Sequence, residues 1–108
     1  MKILIINGSP RTKGVTATVL HMMEEELVSR GADVECVNLI EIKMSHCLGC
    51  CSCYTTGHCC IDDDAEVLSK RIADADGIVL GSPTYASNVS GLMKDYIDRG
   101  HFVIEQLL

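Results

Sequence analysis

The sequence predicts an α/β domain built on a parallel β-sheet. Three short apolar segments alternate along the chain with segments of helical periodicity, a pattern typical of strands joined by helical crossovers. The first and third predicted strands both end in the tripeptide Gly-Ser-Pro. If these strands are neighbours in a sheet of order 2-1-3, their loops flank one crevice at the switch point, where open α/β sheets bind ligands.

The first strand is predicted from Lys2 to Ile6, because this run is uniformly apolar after the lysine, as in a strand covered on both faces. A helix follows from about Thr16 to Arg30, and Gly31 provides its stop. The second strand runs from Asp33 to Leu39, and its Cys36 is interpreted as a small buried residue. The shared apolar face of the first helix comprises Val19, Leu20, Met23 and Leu27.

The second half of the chain repeats the strand–helix pattern after an interruption. Three consecutive aspartates, Asp62 to Asp64, offer an N-cap and favourable charge for a helix that ends near Ala75. The third strand is predicted from Asp76 to Gly81, and the last helix from about Ser90 to Arg99. Residues 100–108 look like the stretch that precedes a fourth strand. The inward-facing residues of these two helices are predicted to be Ala65, Leu68, Ile72, Leu92, Met93, Tyr96 and Ile97.

Composition excludes several function classes. A chain of 108 residues, 47% of them hydrophobic, suits one compact domain. The net charge of −6 argues against a nucleic-acid surface and against docking on anionic lipid. The N-terminal apolar run is too short for a signal peptide or a membrane span, so no membrane association and a cytoplasmic location are expected. Seven cysteines then favour metal or redox chemistry, because a reducing compartment disfavours disulfides.

The loop after the first strand has the composition of a phosphate-binding loop. Gly8 and Gly14 permit tight turns, and the following helix start offers free N–H groups at its positive end. Neither the dinucleotide-binding fingerprint nor the NTPase phosphate loop is present, and a polar turn without a ligand is the alternative interpretation. The side chains that could donate to a phosphate are Ser9, Arg11, Thr12 and Thr16.

The segment 47–60 is a Cys-rich loop. Its spacing Cys47-x-x-Cys50-x-x-Cys53-(five residues)-Cys59 begins with the two gaps that ferredoxins use around a cubane cluster. Zinc sites more often divide into two separate Cys-x-x-Cys pairs, so an iron–sulfur cluster, redox-active thiols and zinc all remain open. Cys51 and Cys60 have no assigned role and could be spare or substitute ligands. The flanking histidines, His46 and His58, are interpreted as solvated loop residues.

A set of short motifs runs through the chain in a fixed order: Ile6-Asn7-Gly8-Ser9-Pro10-Arg11, Gly14 and Thr16, Gly81-Ser82-Pro83-Thr84-Tyr85, Asn88-Val89-Ser90, Met93-Lys94 and Ile97-Asp98-Arg99. Together these motifs resemble the NADPH-dependent FMN reductase family, and the cysteine segment resembles the iron–sulfur flavoproteins within it. The resemblance covers essentially the whole chain. It implies a flavodoxin-like three-layer sandwich with strand order 2-1-3-4-5. Residues 1–108 would form the N-terminal part of that single domain, with strands 4 and 5 missing.

The same resemblance implies the site residues. The FMN phosphate would be held by Ser9, Arg11, Val15 and Thr16. The isoalloxazine ring would be lined by Pro83, Thr84 and Tyr85, and Asn88 is included among the cofactor-binding residues of that loop. Tyr85 could alternatively be a core residue, and Ala86 stands where many relatives carry a bulky aromatic. The ligands of a 4Fe–4S cluster would be Cys47, Cys50, Cys53 and Cys59.

The predicted function is that of an FMN-dependent oxidoreductase, an electron-transfer iron–sulfur flavoprotein. No catalytic side chain is assigned, because the redox chemistry would belong to the flavin. The resemblance implies a ferredoxin-like electron donor and a homo-oligomer, a dimer or a tetramer. Alternatives are an NAD(P)H-dependent FMN reductase without a cluster, and a cofactor-free or zinc-binding module.

Overall fold

A computed structural model describes the backbone of residues 1–107 and the side chains of residues 1–100. Its sheet contains three parallel strands, β1 (Lys2–Asn7), β2 (Asp33–Asn38) and β3 (Gly77–Gly81). Their order is β2-β1-β3, which confirms the predicted order 2-1-3. Since β1 is the central strand, its apolar residues from Ile3 to Ile6 are all buried, as their uniform hydrophobicity predicts.

Helices cover both faces of the sheet, which gives three layers. One face packs against α1, where Leu20 meets Ile3 and Ile5. Alternate residues of β1 point to the other face, where Leu4 and Ile6 join the larger core formed with α3 and α4. The helices are α1 (Val15–Ser29), a 3₁₀ turn (Leu39–Glu41), α2 (Ser52–Thr56), α3 (Asp64–Asp74) and α4 (Gly91–Leu107).

The start of α3 confirms the capping interpretation of the aspartate run. Asp63 is the N-cap, and its Oδ1 accepts the Ala65 N–H at 3.1 Å. Its predicted inward-facing residues are buried, as are Met93 and Tyr96 of α4. Helix capping therefore explains at least the middle of the three aspartates.

The last helix is longer than predicted. It continues past Arg99 to Leu107, so residues 100–107 are helical, and Leu108 lies outside the described residues. Gly100 is buried within this helix, and a Cβ there would lie 3.1 Å from the Ser69 Oγ of α3. A glycine in a helix interior costs about 1 kcal/mol. Here it permits close approach of the two helices, so it does not end α4.

The apolar face of α1 is only partly buried, against expectation. Leu20 is buried and Leu27 half-buried, but Val19 and Met23 are 50% and 40% exposed. These two residues lie with Ile78 along an open apolar groove beside β3. Within the described residues no strand pairs with the outer edge of β3, so nothing there covers the groove.

Cys36 was predicted to be buried, and that prediction is wrong. The residue lies on the edge strand β2, where it is exposed and its Sγ is 2.6 Å from the Glu24 Oε2 of α1. Partial burial of the thiol, together with the adjacent carboxylate, raises the pKa of Cys36 to about 12. In the described part of the chain, no helix has the length and hydrophobicity needed to cross a membrane.

Candidate functional site

The loop after β1 is held in shape by its own polar groups. Asn7 is buried, and its Oδ1 accepts the Ser9 N–H at 3.0 Å. Its Nδ2 donates to the Oδ1 of Asn38, its register partner on β2, at 3.0 Å. Ser9 is buried in turn, and its Oγ accepts the Arg11 N–H at 3.1 Å. Sequence reasoning missed the support from Asn7 and Asn38, although an asparagine at the end of both strands was a visible signal.

At the N-terminus of α1, neither the N-cap residue nor an acidic side chain of the first turn occupies the place of a bound anion. Its N-cap is Gly14, no side chain caps the helix, and no acidic residue occurs in its first turn. The N–H groups of this turn and the positive end of the helix dipole are therefore free to receive an anion. Arg11 is exposed, Thr16 is half-buried, and Val15 is 83% exposed, so the contribution of Val15 is its backbone N–H.

The loop after β3 contains a tight turn in an unfavourable conformation. Tyr85 and Asn88 exchange backbone hydrogen bonds of 2.9 and 3.0 Å. The intervening Ala86 and Ser87 have φ of 49° and 64°, as in a type I′ turn, which usually uses Asn or Gly. Tyr85 is 47% exposed, so the alternative that it is a core residue is wrong. Pro83 is half-buried, and Thr84 and Asn88 are exposed.

These two loops are joined to each other by hydrogen bonds. The Gly8 N–H donates to the Gly81 carbonyl at 2.7 Å, and the Ser90 Oγ donates to the Gly8 carbonyl at 2.5 Å. Ser90 also accepts the Met93 N–H of α4 at 3.1 Å and donates its own N–H to the Ser82 Oγ at 2.8 Å. The loops that end β1 and β3 therefore form one unit at the carboxyl edge of the sheet, as the repeated tripeptide predicts.

Replacing Ser90 with alanine is expected to lower the free energy of unfolding by about 1–2 kcal/mol, because a buried cap and an interloop hydrogen bond are both lost. Urea denaturation of the purified protein measures this difference. The matched control is Ser87→Ala in the exposed turn of the same loop, which should change stability much less. Equal effects of the two substitutions would contradict the role given to Ser90.

A second candidate site is a cavity of about 190 Å³ between the Cys-rich segment and α4. Positive φ angles at Gly49, Cys51 and Gly57 turn the backbone of this segment. Arg99 and Asp98 of α4 line the opposite side. The cysteines that line the cavity are Cys47, Cys50, Cys51, Cys53, Cys59 and Cys60.

Two of these thiols have distinct surroundings. The Sγ of Cys50 lies 3.4 Å from the Ser52 Oγ and 3.1 Å from the Cys60 Sγ. Hydrogen bonding by Ser52, with a smaller contribution from Cys60, lowers the pKa of Cys50 to about 7. Cys59 is half-buried, and its Sγ accepts an N–H from Arg99 at 3.3 Å and the Ile61 N–H at 3.5 Å.

The donors of this cavity have the chemistry that an iron–sulfur cluster requires. All six cysteine side chains offer soft sulfur ligands, which iron–sulfur clusters use. Among the residues whose side chains are described, no three Cys, His, Asp or Glu groups converge as one bound ion requires. In a cubane each thiolate binds a different iron, so its ligands need not converge on one point. His46 and His58 are exposed and pair with Asp95 and Glu66, which confirms them as solvated loop residues.

The sequence matches a family model described as NADPH-dependent FMN reductase over residues 1–106. It is 40% identical over 111 residues to an iron–sulfur flavoprotein of Clostridioides difficile (strain 630), covering 100% of this chain and 49% of the relative. It is 36% identical over 99 residues to an iron–sulfur flavoprotein of Methanocaldococcus jannaschii, covering 92% of this chain and 51% of the relative. The chain thus spans about half the length of these curated relatives.

Solved structures confirm the flavodoxin-like fold. An NAD(P)H:quinone oxidoreductase from Methanothermobacter marburgensis superposes with a TM-score of 0.77 at 20% identity, over 93% of this chain and 52% of the other. A flavone reductase gives 0.72 at 27% identity, over 92% and 29% of the two chains. An FMN-dependent NADH-azoreductase from Bacillus anthracis, in complex with FMN, gives 0.58 at 24% identity, over 92% and 55%.

Proposed function

The chain belongs to the NADPH-dependent FMN reductase family, and from that premise we propose that it forms the phosphate-binding part of an FMN-dependent, iron–sulfur oxidoreductase. The proposal rests on the hydrogen bonds that join the loops after β1 and β3 at one edge of the sheet. In an open α/β sheet this edge is where nucleotides bind. In this proposal residues 1–108 belong to one flavodoxin-like FMN-binding domain, and the site residues predicted from the sequence bind its cofactors.

The phosphate is held by the loop after β1. Within residues 1–100 the Ser9 Oγ accepts the Arg11 N–H and donates to no group, so its hydroxyl proton is available to the ligand. The Arg11 guanidinium is exposed and can form a bidentate pair with phosphate oxygens. Val15 and Thr16 add backbone N–H groups, and Thr16 adds a hydroxyl. FMN, when bound, supplies hydride and single-electron chemistry to this site.

The loop after β3 provides the surface for the isoalloxazine ring. The turn from Tyr85 to Asn88 leaves the phenol ring of Tyr85 half exposed, so one aromatic face is available for stacking. Pro83 and Thr84 continue this surface toward β3. Ala86 adds only a methyl group, so this part of the loop covers the ring less than an aromatic residue would.

In the thiol cavity, Cys47, Cys50, Cys53 and Cys59 hold a 4Fe–4S cluster, which supplies one-electron transfer when bound. A lowered pKa favours the thiolate of Cys50 that metal binding requires. Cys60 lies beside Cys50 and is within reach as a substitute ligand. Cys51 occupies the left-handed position before α2 and shapes the turn.

The donor of electrons is a ferredoxin-like protein or NAD(P)H, and the assembled protein is a homo-oligomer. Stopped-flow mixing of the FMN-loaded protein with NADPH distinguishes the donors. Rapid bleaching of the flavin without a donor protein would favour a direct NAD(P)H-dependent reductase. No bleaching with NADPH, followed by bleaching with a reduced ferredoxin, would favour the iron–sulfur route.

Anaerobic reconstitution with iron, sulfide and FMN tests the proposed function. The expected product is brown, binds FMN and contains the iron of one cubane cluster. Cys53→Ser should lose most of the iron, whereas Cys36→Ser, a matched control outside the cavity, should retain it. A colourless protein with one zinc and no flavin would contradict the proposal.

A further inference from the structure

Arg99 is a buried cation beside the thiol cavity. Its side chain is 1% exposed, and its ion-pair partner Asp63 is 6% exposed. Both terminal nitrogens of Arg99 donate to the Asp63 carboxylate, Nη2 to Oδ1 at 2.7 Å and Nη1 to Oδ2 at 2.8 Å. A buried charge needs such compensation, because removing it from water is costly.

Two further N–H groups of Arg99, one on each terminal nitrogen, bind near the two ends of the Cys-rich segment, whereas the buried Nε–H has no partner among the described residues. Nη1 also donates to the Ser45 carbonyl at 2.8 Å, two residues before Cys47. Nη2 also donates to the Cys59 Sγ at 3.3 Å. Asp63 reinforces the first link by accepting the Ser45 N–H at 3.0 Å. The Arg99 side chain of α4 therefore holds Ser45, just before the Cys-rich segment, and Cys59, near its end, against the core.

We propose that Arg99 is a positioning residue for the cluster: its N–H group holds the Cys59 sulfur and raises the reduction potential of the iron. The inference rests on the proposed function, because it requires the cluster. Hydrogen bonds to ligating sulfurs and burial are the means by which proteins tune such potentials. Reduction adds negative charge to the cluster and its thiolates, so a donor aimed at one sulfur stabilises the reduced form more than the oxidised form.

The same contact distinguishes Cys59 from its neighbour. Cys60 is exposed and lies beside Cys50, whereas Cys59 receives the Arg99 and Ile61 N–H groups. Either Cys59 or Cys60 could serve as the fourth cysteine ligand of the cluster. The two N–H donors aimed at Cys59 fix the position of its sulfur, and by that geometry they select it over Cys60.

The test is a potentiometric titration of the reconstituted protein with the double variant Asp63→Asn/Arg99→Gln. This variant removes both charges of one buried pair, so the net charge of the chain is unchanged and a shift in potential does not come from an altered net charge. Removing both partners also avoids an uncompensated buried charge. The matched control is Glu35→Gln/Arg71→Gln, which removes an exposed ion pair between β2 and the last turn of α3.

The double variant is expected to lower the potential by about 59 mV, a tenfold change in the ratio of reduced to oxidised cluster for a one-electron couple. The control should leave it unchanged. The second variant is Arg99→Lys, whose single ammonium cannot bond Asp63 and Cys59 in the same way, and it should give a smaller negative shift. The reduced cluster should show an altered electron paramagnetic resonance spectrum in both Arg99 variants.

An unchanged potential and spectrum in iron-loaded Arg99 variants would overturn the inference and leave the proposed function intact. If the unmodified protein takes up FMN but no iron, the inference and the cluster both fail while the flavin site stands. Retention of iron in Cys59→Ser with its loss in Cys60→Ser would also overturn the selection of Cys59.

Discussion

Replacement of Asp63 by asparagine is expected to lower the free energy of unfolding at neutral pH by about 3–5 kcal/mol. The substitution leaves the Arg99 guanidinium buried without its counter-charge. It also leaves one acceptor oxygen in place of two, so the cap of α3 and the link to Ser45 can no longer both be made. Urea denaturation at pH 7 measures the difference. The neighbouring Asp62→Asn is the control and should remain within about 0.5 kcal/mol of the unmodified protein, because Asp62 is exposed.

The destabilisation should depend on pH in a defined direction. Hydrogen bonding and charge from Arg99 lower the pKa of Asp63 to about 2 in the folded protein, against about 3.9 when unfolded. The unfolded state then binds more protons between these values, so the stabilisation is complete above about pH 5 and is lost as the pH falls through about 2. The difference between the unmodified protein and Asp63→Asn should therefore be largest near neutral pH and shrink in acid. A difference that grows below pH 4 would contradict this assignment.

Replacement of Arg11 by alanine is expected to weaken FMN binding by about 10- to 100-fold, since a charged hydrogen bond contributes about 1.5–3 kcal/mol. Quenching of FMN fluorescence during titration with the protein measures the dissociation constant. Arg11 is exposed, so its removal should leave the free energy of unfolding nearly unchanged.

Riboflavin, which lacks the phosphate, is the decisive control ligand for this substitution. Arg11→Ala should leave riboflavin binding unchanged, because the arginine acts on the phosphate alone. The control variant is Arg30→Ala at the other end of α1, where the arginine pairs with Glu26 on the surface. If Arg11→Ala weakened both ligands equally, or neither, the phosphate site would lie elsewhere.

Local signals predicted the sheet and the ends of its strands. Uniform hydrophobicity predicted that β1 is covered on both faces, and the predicted strand order 2-1-3 placed the two loops that begin with Gly-Ser-Pro side by side. The aspartate run predicted the α3 cap, because a cap depends on residues adjacent in sequence. The spacing of Cys47, Cys50, Cys53 and Cys59 predicted that these four thiols lie together, and the structure adds Cys51 and Cys60 to the same cavity.

The features that were wrong or missed depend on contacts between distant residues. The last helix was predicted to end near Arg99, but it continues to Leu107 through Gly100, which lies close to Ser69 of α3. Cys36 looked buried, but β2 is an edge strand and the residue is exposed there. The pairing of Asp63 with Arg99 spans 36 residues, and no periodicity in the sequence indicates it. Edge position, helix proximity and ion pairing are tertiary properties, which local propensity does not contain.

The α4 helix has contacts near both candidate sites. Ser90, immediately before it, bonds to Gly8 in the loop after β1, and Arg99 bonds to Cys59 beside the thiol cavity. Nine residues of α-helix separate these two points, a length of about 14 Å at 1.5 Å per residue. Helix geometry, and not loop conformation, thus sets the spacing along α4 between the loop after β1 and the thiol of Cys59. Any insertion into this stretch would displace one site relative to the other by a rotation as well as a translation.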